Sequence, residues 1–99
     1  MATSELLLLP GVERAESGTD DVELRVGGKT FAHFHGEERI DVRLPPDLKE
    51  AWILQGLVWR SPEVHDREGW VVLKLRPSPT LASVLRVLHA AYKHVSSSL

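Results

Sequence analysis

The chain has 99 residues, of which 42% are apolar and 26% charged, and it contains no cysteine. This composition is typical of one globular unit, so we expect residues 1–99 to form a single domain. The net charge of -2 disfavours nucleic-acid binding through phosphate neutralisation, and the lack of cysteine excludes disulfides and thiolate-bound metals. The apolar run at 6–9 is too short to span a membrane and lacks a basic lead, which predicts a cytoplasmic protein with no membrane segment.

The amino-terminal third of the chain predicts a short helix followed by a hairpin. Residues 3–9 suit one or two helical turns that the next Pro-Gly pair ends, and residues 12–21 are typical of a loop with at most a short edge strand. Residues 22–26 alternate apolar and charged side chains, as a half-buried strand does. The two glycines at 27–28 favour a two-residue hairpin turn, so residues 29–35 return as the antiparallel partner.

The pairing in this hairpin predicts the face on which two histidines lie. With regular alternation Leu24 pairs with Phe31 and Val22 with His33. Phe31, His33 and His35 then share the apolar face of the sheet, and the intervening side chains face the other way. An unpaired imidazole on that face would be costly, so each histidine needs a partner.

The next strand, residues 39–44, determines the neighbours of the two histidines. A two-residue loop would place them beside the apolar side chains of that strand. A three-residue loop that includes Gly36 would instead place His33 across from Asp41. The sequence leaves both registers open.

A helix is predicted over residues 47–55, starting from a capping-box-like pair of Asp47 and Glu50. Its main stripe comprises Leu48, Ala51, Trp52 and Gln55. Ile53 and Leu54 lie off that stripe, so the helix is apolar on more than one side. Such a helix suits contact with a second copy of the chain, which predicts a homodimer formed through residues 47–55.

The rest of the chain predicts an irregular segment over 57–69, a strand over 70–76 and a helix over 80–95 that Thr80 caps. The apolar stripe of that helix comprises Leu81, Val84, Leu85, Leu88, Ala91, Tyr92 and Val95. The predicted fold class is therefore α+β. It has a mainly antiparallel sheet of four to five strands, two main helices on one face and a short amino-terminal helix.

His33 and His35 are the first candidates for chemistry. They are two residues apart on a strand, so their side chains point the same way from Cα atoms about 6.5 to 7 Å apart. They can act as an acid-base or ligand-binding pair, or hold a metal ion if His65 or Asp41 adds a third ligand. They can also be structural residues at the edge of the core. The spacing alone leaves these roles open.

Other residues are candidates because of where they fall along the chain. His65 lies in the irregular segment, where a loop can bring an imidazole over the sheet as a proton shuttle. Trp59 and Trp70 can form the wall of a pocket for a planar ligand, or pack in the core. Arg43 shares a strand face with Asp41, either in the site or as a solvated pair.

The order of several short motifs resembles a known family. The motifs are "LPGV" at 9–12, "HFHG" at 33–36, "IDVRLP" at 40–45 and "GW" at 69–70, followed by a helix that ends near a tyrosine. Together they look like the luciferase domain of fungal bioluminescence and its bacterial relatives. More loosely, the chain is similar to YjbR-type domains.

The resemblance implies a function and a set of residues. Fungal members of the luciferase-domain family oxidise a hydroxylated styrylpyrone with molecular oxygen, and no metal or flavin is assigned to them. The resemblance therefore implies cofactor-independent, oxygenase-like activity and points to His33, His35, Asp41 and Trp70. It departs from the family where residues 29–31 replace an expected acidic residue.

The leading functional hypothesis is a domain that binds a planar, oxygen-rich small molecule and promotes its oxidation. One histidine of the pair would remove a hydroxyl proton, while the other and His65 orient the ligand and Asp41 holds a tautomer. The ligand-contacting residues would be Phe31, Arg43, Trp59 and Trp70. The alternative is a non-catalytic binding or self-associating domain of YjbR-like type, in which the histidines are structural.

Overall fold

A computed structural model describes residues 9–16, 21–76 and 79–99 of the protein. Within them, six strands form one antiparallel sheet in the order β1-β2-β3-β4-β6-β5. The strands are β1 (Val12–Glu16), β2 (Asp21–Val26), β3 (Lys29–His35), β4 (Arg39–Arg43), β5 (Trp59–Arg60) and β6 (Trp70–Lys74). The helices are α1 (Pro46–Leu54), α2 (Glu63–Arg67) and α3 (Leu81–Ser97).

The α+β class is confirmed, but the sheet has more strands than the four to five predicted. The polar stretch after Gly11 pairs with residues 22–26 of β2 as the edge strand β1. The two-residue strand β5 extends the opposite edge by pairing with β6. Apart from Leu9, the predicted amino-terminal helix at 3–9 lies outside the described residues.

The turn between β2 and β3 is the predicted one, but the pairing beyond it is not. Gly27 and Gly28 have φ angles of 59° and 79°, which glycine adopts without steric cost, and Val26 pairs with Lys29. After one more pair the register shifts: Leu24 pairs with Ala32 instead of Phe31. The strand β3 therefore contains a β-bulge.

The bulge overturns the prediction that His33 and His35 lie on the apolar face. It lets two consecutive side chains, Phe31 and Ala32, both reach the core, where each is 0% exposed. Phe34 is buried beside them, and the two histidines lie on the opposite face with side chains 27% and 23% exposed. This arrangement is favourable because three apolar side chains are buried and neither imidazole loses its access to water.

The loop between β3 and β4 has three residues, one of the two registers left open by the sequence. His35 pairs with Arg39, which leaves Gly36, Glu37 and Glu38 as the loop. His33 then lies across from Asp41. The carboxylate and both imidazoles consequently share one face of the sheet.

The core lies between the sheet and α3, which packs across β2, β3 and β4. Thr80 caps this helix as predicted, accepting a hydrogen bond from the Ser83 amide at 3.1 Å. The predicted stripe needs two changes, since Leu81 is 57% exposed and Val87, which the stripe omitted, is fully buried. Leu81 is the first residue of the helix, whereas Val87 lies three residues after the buried Val84 and four before Ala91.

Helix α1 differs in detail from the prediction. It begins after Pro45, so Asp47 lies inside the first turn and makes no cap; the predicted capping box is wrong. Lys49 and Trp52 are its buried residues, while Ala51 and Gln55 of the predicted stripe are exposed. Among the described residues, no helix is both long and apolar enough to cross a membrane.

Candidate functional site

The polar face of the sheet forms the floor of a groove of about 970 Å³. The segment 61–68, which contains α2, contributes the opposite wall. Side chains along the floor include Glu23, Thr30, His33, His35, Asp41 and Arg43, and those of the wall include Ser61, Pro62, His65 and Glu68. A volume near 1,000 Å³ is at the upper end of what small-molecule sites show.

The two imidazoles lie side by side on the floor of this groove. The ring centroids of His33 and His35 are 4.2 Å apart and the ring planes are tilted by 31°. His35 Nε2 lies 2.7 Å from Asp41 Oδ2, a hydrogen bond between a ring nitrogen and a carboxylate. This hydrogen bond restrains the orientation of the His35 ring.

A second carboxylate approaches the pair from β2. Asp21 is the strand partner of His35, and its Oδ2 lies 3.8 Å from both His33 Nε2 and His35 Nδ1. Asp21 could not be placed beside the histidines from the sequence, because regular alternation would have put the histidines on the opposite face. With the bulge in place, the cross-strand pairing brings Asp21 to them directly.

Arg43 and Trp70 form one end of the groove. The Arg43 guanidinium lies over the Trp70 ring at 4.8 Å from its centroid, and Nη2 is 3.7 Å from a carboxylate oxygen of Glu68. Its Nε is buried and has no hydrogen-bond partner among the described residues. Gly69, with φ of 90°, precedes this tryptophan, and its carbonyl accepts a hydrogen bond from Leu44 N at 3.0 Å. The arrangement offers a flat ring and an unused hydrogen-bond donor.

Glu23 adds a charged group near the histidines. Arg25 hydrogen-bonds its carboxylate at 2.8 Å and Thr30 does so at 3.2 Å. The hydrogen bond from Arg25 lowers the pKa of Glu23, against a smaller opposing effect of burial. Glu23 is therefore anionic at neutral pH, which adds negative potential to this part of the floor.

The structure brings most of the predicted site residues together and leaves two apart. His33, His35, Asp41 and His65 line the groove, as do Arg43 and Trp70. Phe31 is buried on the other face of the sheet, where its ring meets Tyr92 edge-on at 5.7 Å. Trp59 is 51% exposed on β5, with Lys74 Nζ 3.9 Å from its ring centroid, and it does not line the groove.

A buried lysine ties the wall of the groove to α1. Lys49 Nζ donates to the main-chain carbonyl of Asp66 at 2.8 Å and lies 2.7 Å from its Oδ1. Arg60 bridges the same carboxylate and Glu50, at 3.3 Å and 2.8 Å. Because Asp66 belongs to α2, these contacts hold the segment that carries His65. The available sequence signal was that Lys49 lies three residues before Trp52, on the same side of the helix as this buried residue.

We expect Lys49→Met to destabilise the fold and to change its response to acid. Loss of the hydrogen bond to the Asp66 carbonyl should lower the free energy of unfolding by about 1.5 to 3 kcal/mol. The hydrogen bond from Lys49 also lowers the pKa of Asp66 below its ordinary value of 3.8. This carboxylate therefore stabilises the fold above about pH 3.8, and the stabilisation is lost as the pH falls through its folded-state pKa.

Chemical denaturation at pH 7 and at several pH values below 4 measures both effects. The variant should lose less stability on acidification than the wild type, because its Asp66 no longer gains from the lysine. Lys93→Met, which alters an exposed lysine of α3, is the control and should match the wild type. Equal stability of Lys49→Met and wild type at every pH would show that the contact contributes nothing.

The fold and groove define a class: an open antiparallel sheet with one helix-covered face and a histidine-bearing groove on the other. A family model described as Luciferase domain matches residues 28–91, about two thirds of the chain. The chain belongs to this family, which confirms the resemblance drawn from its motifs. The matched residues include His33, His35 and Asp41, whereas Asp21 lies before them. No curated protein and no solved structure matches the chain.

Proposed function

We propose that the protein binds a planar, hydroxylated small molecule in the groove and promotes its oxidation by molecular oxygen. The observation that carries this proposal is the side-by-side pair of imidazoles on the groove floor, with Asp41 hydrogen-bonded to His35. Two partly exposed histidines beside a carboxylate are suited to accepting a proton from a ligand. Membership of the luciferase-domain family supports the same type of ligand.

The chemistry begins with the loss of a hydroxyl proton. Nε2–H of His35 donates a hydrogen bond to Asp41, so Nδ1 of the neutral ring is the atom that can take up the proton of the ligand. If the hydroxyl belongs to an enol, the ligand is then an enolate, which is more electron-rich than the neutral enol. It therefore gives up electrons to O2 more readily, so that the ligand is oxidised and O2 is reduced. The imidazole of His33 lies beside that of His35 and orients the ligand hydroxyl that loses the proton.

The remaining groove residues suit a flat, oxygen-bearing molecule. Trp70 presents a ring against which a planar ligand can stack. The buried Nε of Arg43 can donate to a carbonyl or an oxyanion of the ligand, which would satisfy a donor that otherwise lacks a partner among the described residues. His65 lies on the opposite wall and can contact the outer edge of the ligand.

A thermal-shift screen with polyphenols and hydroxypyrones in buffer containing EDTA tests ligand binding. A true ligand at a hundredfold excess over its Kd should stabilise the fold by about 2.7 kcal/mol. Trp70→Ala should abolish the shift, whereas Trp59→Ala, which removes a tryptophan outside the groove, should retain it. Each variant is compared with its own ligand-free melting temperature, so a change in baseline stability does not obscure the result.

The histidines provide the second arm of this experiment. The double variant His33→Ala and His35→Ala should fold, because both side chains are partly exposed on the polar face, and should bind ligand more weakly and consume no O2. His89→Ala, an exposed histidine of α3, is its control. An unchanged ligand shift in the double variant would contradict the proposal. If no compound shifts the melting temperature but protein concentration does, the self-associating alternative is favoured.

For that alternative, the exposed surface of α1 is the feature of interest. Leu54, at its carboxyl end, is 90% exposed, which favours the proposed homodimer through this helix. Trp52, in contrast, is buried in the protein's own core and is not available to a partner. A contact through α1 would therefore involve its exposed carboxyl-terminal turn.

A further inference from the structure

We propose that Asp21, His33 and His35 form a binding site for a divalent transition-metal ion of the first row. Each residue offers one ligand atom, and the three atoms lie within 4.8 Å of one another. The three side chains come from two adjacent strands and face the groove together. This inference goes beyond the proposed function, because the ion would bind whether or not an organic ligand is present.

The distances fit an ion better than they fit hydrogen bonds. Asp21 Oδ2 lies 3.8 Å from His33 Nε2 and 3.8 Å from His35 Nδ1. Hydrogen bonds between such atoms are about 2.7 to 3.2 Å long. Two atoms that bind one ion at about 2.1 Å each stand about 3.4 Å apart in a tetrahedral arrangement. Shortening each of the two Asp21 distances to that value needs side-chain movements of a few tenths of an ångström, and the two imidazole nitrogens already lie within 4.8 Å of one another.

The tautomer of His35 presents a lone pair in the required direction. An ionised carboxylate can only accept, so in its 2.7 Å contact with Asp41 the histidine donates from Nε2. In the neutral ring, Nδ1 is then unprotonated and is the atom that lies near Asp21 Oδ2. A lone pair and a carboxylate oxygen repel one another, and a cation bound between them would attract both. Metal-bound histidines commonly donate their second ring N–H to a carboxylate, which is the part Asp41 plays here.

The local charge also favours a cation. Asp21 and Asp41 bring two negative charges to two imidazoles. The second oxygen of Asp41, Oδ1, is buried and accepts no hydrogen bond from the described residues, with Arg39 Nε 3.6 Å away. A divalent ion on His35 would be attracted through the ring to this carboxylate, which is not fully satisfied by its present neighbours.

The donor set indicates the kind of ion. Two imidazole nitrogens and one carboxylate oxygen suit Zn²⁺, Fe²⁺, Co²⁺ or Mn²⁺, whereas Mg²⁺ and Ca²⁺ prefer oxygen ligands. Three protein ligands leave coordination positions open toward the groove. A ligand hydroxyl bound there would lose its proton more easily, so the ion would replace the histidines as the group that makes the ligand anionic.

Titration of the tag-free protein with Zn²⁺, after dialysis against EDTA and without organic ligand, tests the site. Calorimetry should show one ion per chain. In NMR spectra of the wild type, the ring signals of His33 and His35 should shift while that of His89, exposed on α3, stays in place. A polyhistidine tag must be absent because it would bind the same ion.

Variants then identify the ligands. Asp21→Asn and His35→Ala should each weaken Zn²⁺ binding by about 100-fold or more, because one of three ligands is lost. Asp41→Asn should weaken it by about 10- to 100-fold through the orientation of His35. His89→Ala should leave the affinity unchanged.

Three results would overturn the inference: no stoichiometric binding, unshifted ring signals of His33 and His35, or full affinity in Asp21→Asn. The NMR result comes from the wild type, so a variant that fails to fold does not leave the question open. The organic-ligand screen contains EDTA and the Zn²⁺ titration contains no organic ligand. The ion site and the proposed function can therefore succeed or fail separately.

Discussion

Replacing Ala32 by glutamine should destabilise the protein by about 2 to 6 kcal/mol. Ala32 is 0% exposed and lies on the core face only because of the bulge in β3. A longer side chain there overpacks the core, which costs about 1 to 3 kcal/mol, and an unpaired buried amide costs about 1 to 3 kcal/mol more. A domain of this size has a total stability of about 5 to 15 kcal/mol, so a large part of it would be lost.

His33→Gln is the matched control, since it introduces the same side chain at the next position. The histidine is on the groove face and 27% exposed, so the change should alter stability by about 0.5 kcal/mol or less. Urea denaturation followed by circular dichroism measures both variants. The reverse order of effects would mean that regular alternation is correct and that β3 has no bulge.

Leu88→Ala should lower the free energy of unfolding by about 2 to 5 kcal/mol. Leu88 is 0% exposed at the centre of α3, where it packs in the core cluster formed with the sheet. Truncation removes buried apolar surface and leaves a cavity that the surrounding side chains fill only in part. Among single truncations of α3, removal of a fully buried leucine side chain is expected to lower the free energy of unfolding the most.

Leu81→Ala makes the same chemical change on the same helix. Because Leu81 is 57% exposed, we expect an effect within about 0.5 kcal/mol. The apolar stripe predicted from the sequence includes both leucines. Periodicity alone therefore predicts similar losses of stability for the two variants, whereas the observed packing predicts a large loss only for Leu88→Ala. Equal losses in thermal or chemical denaturation would show that Leu81 is buried in solution.

Much of the fold could be predicted because the local signals agree with it. The glycine pair at 27–28 gives the hairpin turn, the alternating residues of β4 and β6 give strands, and Thr80 begins α3. The two short edge strands were harder to predict. Residues 12–16 are mostly polar, and Trp59–Arg60 is only two residues long, so neither has a hydrophobic period from which a strand could be inferred.

Six of the eight candidate site residues could be placed together from the sequence, but the face of the sheet on which they lie could not. His33, His35 and Asp41 were found from spacing and motif, and they do lie together. Their face was predicted incorrectly because a bulge changes the alternation without leaving a glycine or proline at the position. The available signal was energetic: regular pairing buries two imidazoles, whereas the bulge buries Phe31 together with Ala32 and Phe34.

The bulge also makes residue 31 a position where the length of the chain can vary. If Phe31 were deleted, Thr30 would still pair with Arg25 and Ala32 with Leu24, now without interruption. Every later side chain would keep its face, so both histidines would still line the groove. A one-residue deletion in the regularly paired part of β3, from His33 onward, would exchange the faces of the residues on one side of it. A homologous sequence can therefore have one residue fewer here and keep the same floor, at the cost of a fully buried aromatic side chain and its ring contact with Tyr92.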